Sequence, residues 1–525
     1  MTGPAPTWPR VALVGLLAAS LALFLYGNHW GLPNTNPWHG DDVAKETLVA
    51  MSRGFGGFTK YPFVHYVTLA VADAPYLLYL LGTDQLDTAA QTIHGAFVDP
   101  TGSTTTILLI ARVVSALMAT GCVALLYVIA RRLCRHAGAA LAASAAFAFC
   151  PVTTLYAHVS TVDIPMMFWF AVAFLCFVRF VDGMRPRDGV LLGLATAVAV
   201  STKEQIGGAF VLVAGALVAS AFHGGRPAAA VRGLLWGASA FALAFVLLNK
   251  IAVDPAGYAD RIRGWLGAGT DARLWGGYPA TWAGQFRLLV ATGGLLVTAA
   301  GWPLLILLVA GAAAAPWQRG ARTWWIAAPL GSYYLFTLVP IRYVFSRFTL
   351  PILFLGALLC ALGLARLFER GPKLARCSAL AVMLLLLLGA ERAFRVADCL
   401  MQDPRYAAEA WLTERLPAGA RVESYAYEHF LPRIDQLGLR ASPVSWDKMT
   451  REAWRARDPD AVVLAPETWF KYGASQRQFI QWLRTRSGYG ETLFEADARS
   501  AALFAEDDRA RFLPRCIVLH RPATR

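Results

Sequence analysis

The chain has 525 residues, of which 57% are hydrophobic and only 16% are charged. That composition is typical of a polytopic membrane protein with a soluble part, and it argues against a wholly soluble enzyme. The net charge of +14 lies largely in short loops between apolar segments, as the positive-inside rule expects, and the sequence holds no motif for binding nucleic acid.

Val11–Trp30 is the first apolar segment, and it follows Arg10. A cleaved signal peptide has this charge pattern and these small residues, but the run is long and many further spans follow, which favours an uncleaved signal anchor. Under either interpretation, the chain after residue 30 lies outside the cytoplasm.

Two adjacent carboxylates, Asp41 and Asp42, follow this segment in the sequence His39-Gly40-Asp41-Asp42. Carboxylates are costly near lipid, so a pair at the edge of a membrane bundle indicates a functional site. A carboxylate there can act as a general base, and a neighbouring acid can tune its basicity or share a metal ion with it. The alternative is that one of the two only caps the helix predicted over Val43–Arg53.

The segment Tyr61–Leu81 is apolar but contains His65, Asp73 and several aromatic residues. Counting it as a membrane span would place the arginine cluster that begins at Arg131 on the outer side, against the positive-inside rule. We therefore predict interfacial helices that lie along the outer membrane surface, with a true span as the alternative.

Apolar runs of roughly 17–25 residues predict about eleven spans in all. With this number, the basic clusters that follow every second span share one side, which is then cytoplasmic, as is the N-terminus. The predicted spans are Val11–Trp30, Ile107–Ala130, Gly138–His158, Ile164–Val181, Val190–Thr202, Ile206–Phe222, Val231–Val253, Phe286–Ala313, Trp324–Pro340, Phe348–Leu367 and Leu374–Phe394.

A further acid, Asp163, stands at the start of a span and two residues before Pro165, on the predicted outer side. It can cap its helix, act in catalysis or, together with Asp41, hold a divalent metal ion, and capping is compatible with the other two roles. His158 is a candidate ligand nearby, although a single interfacial histidine more often only forms hydrogen bonds.

Three cations lie at other outer ends of predicted spans. Lys203 occupies a break between two short apolar segments, and irregular backbone at membrane depth lines a protein or water cavity. Because lysine binds phosphate as a point charge and arginine binds it through two donors, Lys203, Arg342 and Arg347 predict a phosphate site. The alternatives are a lysine that snorkels to the interface and arginines that anchor the chain beside aromatic residues such as Tyr343.

Residues 399–525 are polar, and short strand-like runs alternate there with helical stretches, which predicts a small extracytoplasmic α/β domain. We place the transmembrane domain at residues 1–398, with its first outer loop over 31–106. The tail shows no nucleotide loop, zinc spacing or nucleophile elbow, so we assign it no chemistry. Cys399 and Cys516 are the two of eight cysteines on the predicted outer side, where an oxidising compartment would let them form a disulfide.

The order of these elements resembles the GT-C superfamily of membrane glycosyltransferases, and within it the branch of protein O-mannosyltransferases and bacterial lipid A aminoarabinose transferases. Asp41-Asp42 lies where the family has an Asp-Glu pair, and Lys60-Tyr61-Pro62-Phe63 is similar to its Tyr-Pro-Pro or Lys-Pro-Pro element. The chain departs from the family at Asp42, which replaces Glu, and at Phe63, which replaces the second Pro; both changes bear on the acceptor and on any metal. Four further segments resemble family motifs: Ala111–Leu133, Thr161–Pro165, Gly193–Lys203 and Arg342–Pro351.

This resemblance implies transfer of a sugar, with inversion, from a polyprenyl-phosphate donor to a lipid, glycan or protein acceptor on the outer face of a bacterial inner membrane. Asp41 would be the general base, and Lys203 with Arg342 would steady the lipid phosphate as charge develops. The catalytic candidates are Asp41, Asp42 and Asp163; the phosphate-binding candidates are Lys203, Arg342, Arg347 and Lys60; Tyr61, Tyr343 and His158 are additional candidates.

Two other classes of protein were weighed against an enzyme. A membrane transporter or lipid flippase also has spans, a broken helix and buried charges, but we find no internal repeat, and the charges gather at one membrane face instead of the midplane. A scaffold that only presents the tail domain would leave the grouping of Asp41, Asp163 and Lys203 unexplained.

Overall fold

The computed structural model describes residues 7–55, 59–90, 92–215, 217, 227–264, 276–317, 321–467 and 472–521. The chain forms two compact units. The helical unit comprises Met1–Asn28, Val43–Asp84 and Ile110–Phe394, and the sheet unit comprises His29–Asp42, Gln85–Leu109 and Arg395–Arg525.

The secondary structure is mostly helical. In chain order the helices are α1 (Trp8–Leu25), α2 (Ala44–Ser52), α3 (Phe63–Gly82), α4 (Ile93–Ala96), α5 (Pro100–Cys134), α6 (Ala137–Ala148), α7 (Pro151–Ala157), α8 (Asp163–Gly183), α9 (Pro186–Val200), α10 (Pro227–Leu248), α11 (Pro255–Gly264), α12 (Trp282–Ala300), α13 (Trp302–Ala314), α14 (Ala321–Tyr333), α15 (Val339–Ile341), α16 (Leu350–Phe368), α17 (Pro372–Met401), α18 (Pro404–Arg415), α19 (Arg451–Arg457), α20 (Ala474–Arg486), α21 (Ala498–Ala501) and α22 (Glu506–Phe512). The strands are β1 (Arg421–Ser424), β2 (Arg440–Pro443), β3 (Ala461–Leu464), β4 (Gly490–Phe494) and β5 (Cys516–His520).

Among the described residues, eight helices are long and apolar enough to cross a membrane, and the bent pair α6–α7 makes nine. About eleven were predicted from the sequence. Helices α9 and α14, with 15 and 13 residues, are not among the eight, whereas α3 is counted although it was not predicted as a span. The predicted span Phe286–Ala313 is divided into α12 and α13, because Gly301 has a φ of 74° and Pro303 follows in the first turn of the next helix. The predicted span Ile206–Phe222 lies partly outside the described residues.

Helix α3 replaces the predicted interfacial helices with one continuous helix of 20 residues. Its length and composition are sufficient for a membrane span. Its large exposed side chains are apolar, for example Val71 and Leu78, which suits contact with lipid in either orientation. The placement of this segment along the membrane surface therefore stays a prediction.

Helices α9 and α10 pack closely through small residues. A Cβ atom at Gly193 would lie 2.0 Å from the carbonyl oxygen of Gly237, and one at Gly189 would lie 2.3 Å from that of Gly233. Both helices therefore carry a glycine pair with a four-residue spacing that lets the two backbones approach, as is common between membrane helices. This contact fixes the orientation of α9 and therefore the position of its C-terminal end, which precedes Lys203.

The sheet unit contains a five-stranded mixed sheet in the order β2-β1-β3-β5-β4. Strand β1 pairs in parallel with β2 and β3, whereas β5 pairs antiparallel with β3 and β4. Alternate residues of β3 join different apolar clusters, with Val462 in one and Val463 in the other, so that both faces of the sheet are covered. The predicted α/β pattern of the tail is confirmed.

The predicted disulfide between Cys399 and Cys516 is wrong, because both residues are free thiols. Cys399 lies near the end of α17 and hydrogen-bonds with Ser500. Cys516 begins β5 and is fully buried, and this burial raises the pKa of its thiol. The prediction rested only on the placement of both cysteines on the same side of the membrane. A disulfide also needs their Cα atoms to lie within about 7 Å of each other.

Candidate functional site

Lys203 forms a buried ion pair with Asp163 in the helical unit. Its Nζ atom donates to Oδ1 of Asp163 at 2.6 Å, and the two side chains are only 6% and 2% exposed. Lys203 itself has extended backbone between the end of α9 and a 3₁₀ turn over Glu204–Phe210, so the predicted helix break is present. The snorkelling alternative does not describe this side chain, because its ammonium group points to a buried carboxylate.

Asp163 is the first residue of α8, where a negative charge interacts favourably with the helix dipole. The loop before it is held by α2, because the N–H of Val43 donates to the carbonyl of Ser160 at 3.0 Å. One carboxylate thus meets a helix N-terminus and a lysine at once, and both contacts are electrostatically attractive.

A second set of polar side chains clamps the break around Lys203. The guanidinium of Arg261, on α11, pairs with Glu204 and also donates to Oδ1 of Asn249 at 2.9 Å. The amide of Asn249 in turn donates to the hydroxyl of Ser201 at 2.7 Å. Lys203 therefore lies between two residues, Ser201 and Glu204, that this network holds in place.

None of these clamping residues was singled out from the sequence. The only signal available was the Lys203-Glu204 adjacency, which places an acid beside a lysine in a helix break. The partner of Glu204, Arg261, is 57 residues away on α11, in a stretch of sequence that carries no motif.

An aromatic cluster packs against the ammonium group of Lys203. The Nζ atom lies 5.4 Å from the ring centroid of Phe348, and the guanidinium carbon of Arg347 lies 5.7 Å from the same centroid. Tyr343 and Phe345 complete the cluster, with ring centroids 5.9 Å and 5.5 Å from that of Phe348. The structure therefore brings Lys203, Arg347 and Tyr343 together around one ring, and cations over aromatic faces are stabilised there.

The segment before this cluster is irregular. A π-helical turn over Tyr334–Leu338 packs on the 3₁₀ turn after Lys203, where the hydroxyl of Thr337 donates to the carbonyl of Gln205 at 2.7 Å. Arg342 then takes a left-handed conformation, with a φ of 60°, and its carbonyl accepts from the N–H of Tyr278. In the described part of the chain its guanidinium forms no ion pair or hydrogen bond, so the structure does not join the Arg342 side chain to Lys203.

Lys60 and Tyr61 precede α3. The Lys60 side chain is exposed, and its Nζ atom lies 5.4 Å from the ring centroid of its neighbour Tyr61. The start of α3 is tied to the break, because the N–H of Val64 donates to the carbonyl of Ser201 at 3.2 Å. The Lys60–Pro62 element is thus anchored beside the segment that carries Lys203.

His158 is occupied by backbone groups. Its Nδ1 atom lies 2.6 Å from the carbonyl oxygen of Thr154, and its Nε2 atom lies 2.6 Å from that of Tyr26. Both ring nitrogens therefore contact backbone carbonyls, and this histidine fastens α7 to the end of α1. The simpler interpretation of His158, as a residue that only forms hydrogen bonds, is the one that the structure supports.

In the sheet unit, the carboxylate of Asp41 forms an ion pair with Arg511 of α22. The segment before it is held from several sides. His39 packs on Phe512 with ring centroids 4.7 Å apart, and a Cβ atom at Gly40 would lie 2.7 Å from Nε2 of His429. The tail domain, to which the sequence assigned no chemistry, therefore supplies the residues that position Asp41.

Asp42 is buried, with 5% of its surface exposed, and its N–H donates to the carbonyl of His39. The same segment is anchored by Arg405, whose guanidinium pairs with Asp403 and lies 4.0 Å from the ring centroid of Trp38. Asp42 belongs to a tight turn ahead of α2, and Val43 occupies the N-cap position of that helix. The capping role of either carboxylate therefore stays an alternative.

A metal ion does not fit the candidate residues. Within the described ranges, no group of three His, Cys, Asp or Glu side chains is placed to hold one. Asp41 and Asp163, the two carboxylates considered as ligands, each face a cation of their own unit. We therefore derive no step through a metal.

These features define a class of protein: a polytopic membrane protein whose spans carry a helix break with a buried ion pair, and whose chain ends in a small α/β sheet. A family model described as dolichyl-phosphate-mannose-protein mannosyltransferase matches residues 107–250. Comparison with curated protein sequences gives no match.

Several solved structures are similar to this chain. ArnT from Cupriavidus metallidurans bound to undecaprenyl phosphate is 14% identical, with 99% of each chain covered and a TM-score of 0.51. The apo state of that protein is 12% identical, with 97% of this chain and 98% of the other covered and a TM-score of 0.50. An oligosaccharyltransferase from Archaeoglobus fulgidus is 14% identical over 93% of this chain and 72% of the other, with a TM-score of 0.49. The chain therefore has the same fold as ArnT, and the GT-C type of fold predicted from the sequence is confirmed.

Proposed function

We propose that this protein transfers a sugar from a polyprenyl-phosphate donor to an acceptor on the extracytoplasmic face of a bacterial inner membrane, with the N-terminus in the cytoplasm. The buried Lys203–Asp163 pair, at a helix break beside Arg347 and an aromatic cluster, is the observation that carries this proposal. A paired lysine at such a break supplies a positive charge that is already oriented before the substrate arrives.

The fold and the family match support this class of donor. ArnT, which shares the fold, was solved with bound undecaprenyl phosphate. The matched family is described by a dolichyl-phosphate sugar donor, and residues 107–250 include both Asp163 and Lys203. The same likeness favours a transferase over the transporter or flippase considered from the sequence.

In the proposed reaction, an acceptor hydroxyl attacks the anomeric carbon of the sugar, and the bond from that carbon to the phosphate oxygen breaks. Asp41 takes the proton of the hydroxyl as general base, and polyprenyl phosphate leaves with the electron pair of the broken bond. Lys203 and Arg347 stabilise the negative charge that develops on the phosphate. Attack opposite the leaving group inverts the anomeric configuration.

Arg261 is proposed to act as a positioning residue for Lys203. Arg261→Met should raise the donor KM about tenfold or more with a smaller change in kcat, because the break shifts while the acceptor side is untouched. Arg261→Lys should recover part of the loss. Arg263→Gln is the matched control, since Arg263 is two residues away and 74% exposed, against 4% for Arg261. Equal loss of kcat and donor affinity in Arg261→Met would contradict the positioning role.

The function itself is tested in cells that lack this chain. Mass spectrometry of their lipids, glycans and membrane proteins should show species that are lighter by one sugar, and the parent chain should restore the heavier forms. A variant with Asp163→Asn should not restore them. If no component differs by a sugar mass under any condition of growth, the proposed activity is wrong.

A further inference from the structure

An apolar groove runs along the membrane-facing surface of the helical unit, far from Lys203. It has a volume of about 770 Å³ and lies between α1, α6 and α17. Among the described residues that line it, the polar ones are His136 and Arg376, which lie at the end that also holds Trp8 and Phe368. The opposite end is lined by apolar residues such as Leu387 and Ala390.

The length of the groove suits a hydrocarbon chain. From Arg376 to Ala390, α17 advances 14 residues, or about 21 Å at 1.5 Å per residue. The hydrocarbon core of a bilayer is roughly 30 Å thick, so the groove covers one leaflet in depth. An occupant would thus have a polar group at one end and an apolar chain along the helices.

The polar end is strongly basic. Arg366, Arg370 and Lys373 lie within ten residues of Arg376 in the sequence, and Arg131, Arg132 and Arg135 precede His136. In the described part of the chain, Arg376 has no carboxylate partner, and it is exposed at the end of the groove. Basic pockets between membrane helices on the cytoplasmic side favour anionic lipid headgroups.

The groove is separate from the proposed donor site. Helix α16 begins beside Phe348, whose ring contacts Lys203, and it ends at Phe368, which lines the polar end of the groove. With 19 residues, the helix separates its two ends by about 28 Å. A phosphate at Arg376 is therefore not the phosphate that Lys203 binds.

We propose that this groove is a binding site for an anionic glycerophospholipid, with the headgroup phosphate at Arg376 and one acyl chain along α17. The argument rests on charge complementarity at one end and on the uniform apolar lining beyond it. It does not depend on the proposed transferase activity.

The test uses the full-length protein in nanodiscs that contain equal amounts of phosphatidylglycerol and phosphatidylcholine. After release into detergent, native mass spectrometry measures which lipid stays bound. The parent protein should retain phosphatidylglycerol in preference, and Arg376→Gln should reduce that preference about fivefold, the effect of one basic residue on an anionic lipid. Arg287→Gln, which removes an exposed arginine from α12, should leave it unchanged.

A second variant tests the chain-binding part of the groove. Ala379→Phe fills the lining of α17 beyond Arg376 and should reduce retention of both lipids. Equal retention of the two lipids by the parent, or a preference that survives Arg376→Gln, would overturn the proposal. Displacement of phosphatidylglycerol by added polyprenyl phosphate, with the same dependence on Arg376, would also overturn it and assign the groove to the carrier lipid.

Discussion

Lys203→Met is expected to abolish detectable sugar transfer and also to destabilise the helical unit. The substitution leaves the Asp163 carboxylate buried without its cation, and removing one partner of a buried ion pair typically costs about 3–5 kcal/mol. Loss of an oriented charge at the leaving phosphate is expected to reduce kcat by a further factor of about 10²–10³. The thermal midpoint of the purified protein and its transfer rate should therefore both fall.

The double variant Asp163→Asn/Lys203→Met separates these two effects. Replacing both members of a buried pair with neutral groups of similar size is often nearly neutral for stability, so the thermal midpoint should return towards that of the parent. Activity should stay absent, because no positive charge faces the phosphate. A stable double variant that transfers sugar at the parent rate would show that the pair is purely structural.

The sequence was informative where a local pattern encodes the structure. The break at Lys203 follows from two short apolar segments that meet there. The GT-C fold was predicted in the same way, because the order of short motifs along the chain carries it. The interruption at Gly301 was missed when Phe286–Ala313 was predicted as one span, although glycine followed two residues later by proline often ends one helix and begins another.

The sequence did not indicate which residues far apart in the chain form ion pairs with each other. Lys203 and Asp163 were selected for separate roles. They are 40 residues apart in the chain, yet their side chains form one ion pair. Arg511 is 470 residues from Asp41 and stands in a tail that carries no motif, so nothing local connected them. The disulfide prediction failed for the same reason, because membrane sidedness limits where a residue lies without fixing what it contacts.

Asp41→Asn is expected to reduce transfer by about 10²–10⁴-fold, the usual contribution of a general base, while donor binding stays close to that of the parent. The amide keeps the size of the side chain and an acceptor oxygen for Arg511, so the sheet unit should keep its thermal stability. Rates under single-turnover conditions and equilibrium binding of the labelled donor measure the two effects separately. An Asn variant that retains the parent rate would rule out Asp41 as the base.

Arg511 provides a second test of that role through the pH dependence of the rate. The adjacent guanidinium favours the ionised form of Asp41, which is the form that accepts a proton. In Arg511→Met this influence is lost, so the acidic limb of the pH–rate profile should move to higher pH, and Arg511→Lys should move it back. Arg509→Gln, an exposed arginine on the same helix α22, is the control and should leave the profile unchanged. A profile that does not move in Arg511→Met, combined with lower thermal stability, would make the ion pair a structural contact only.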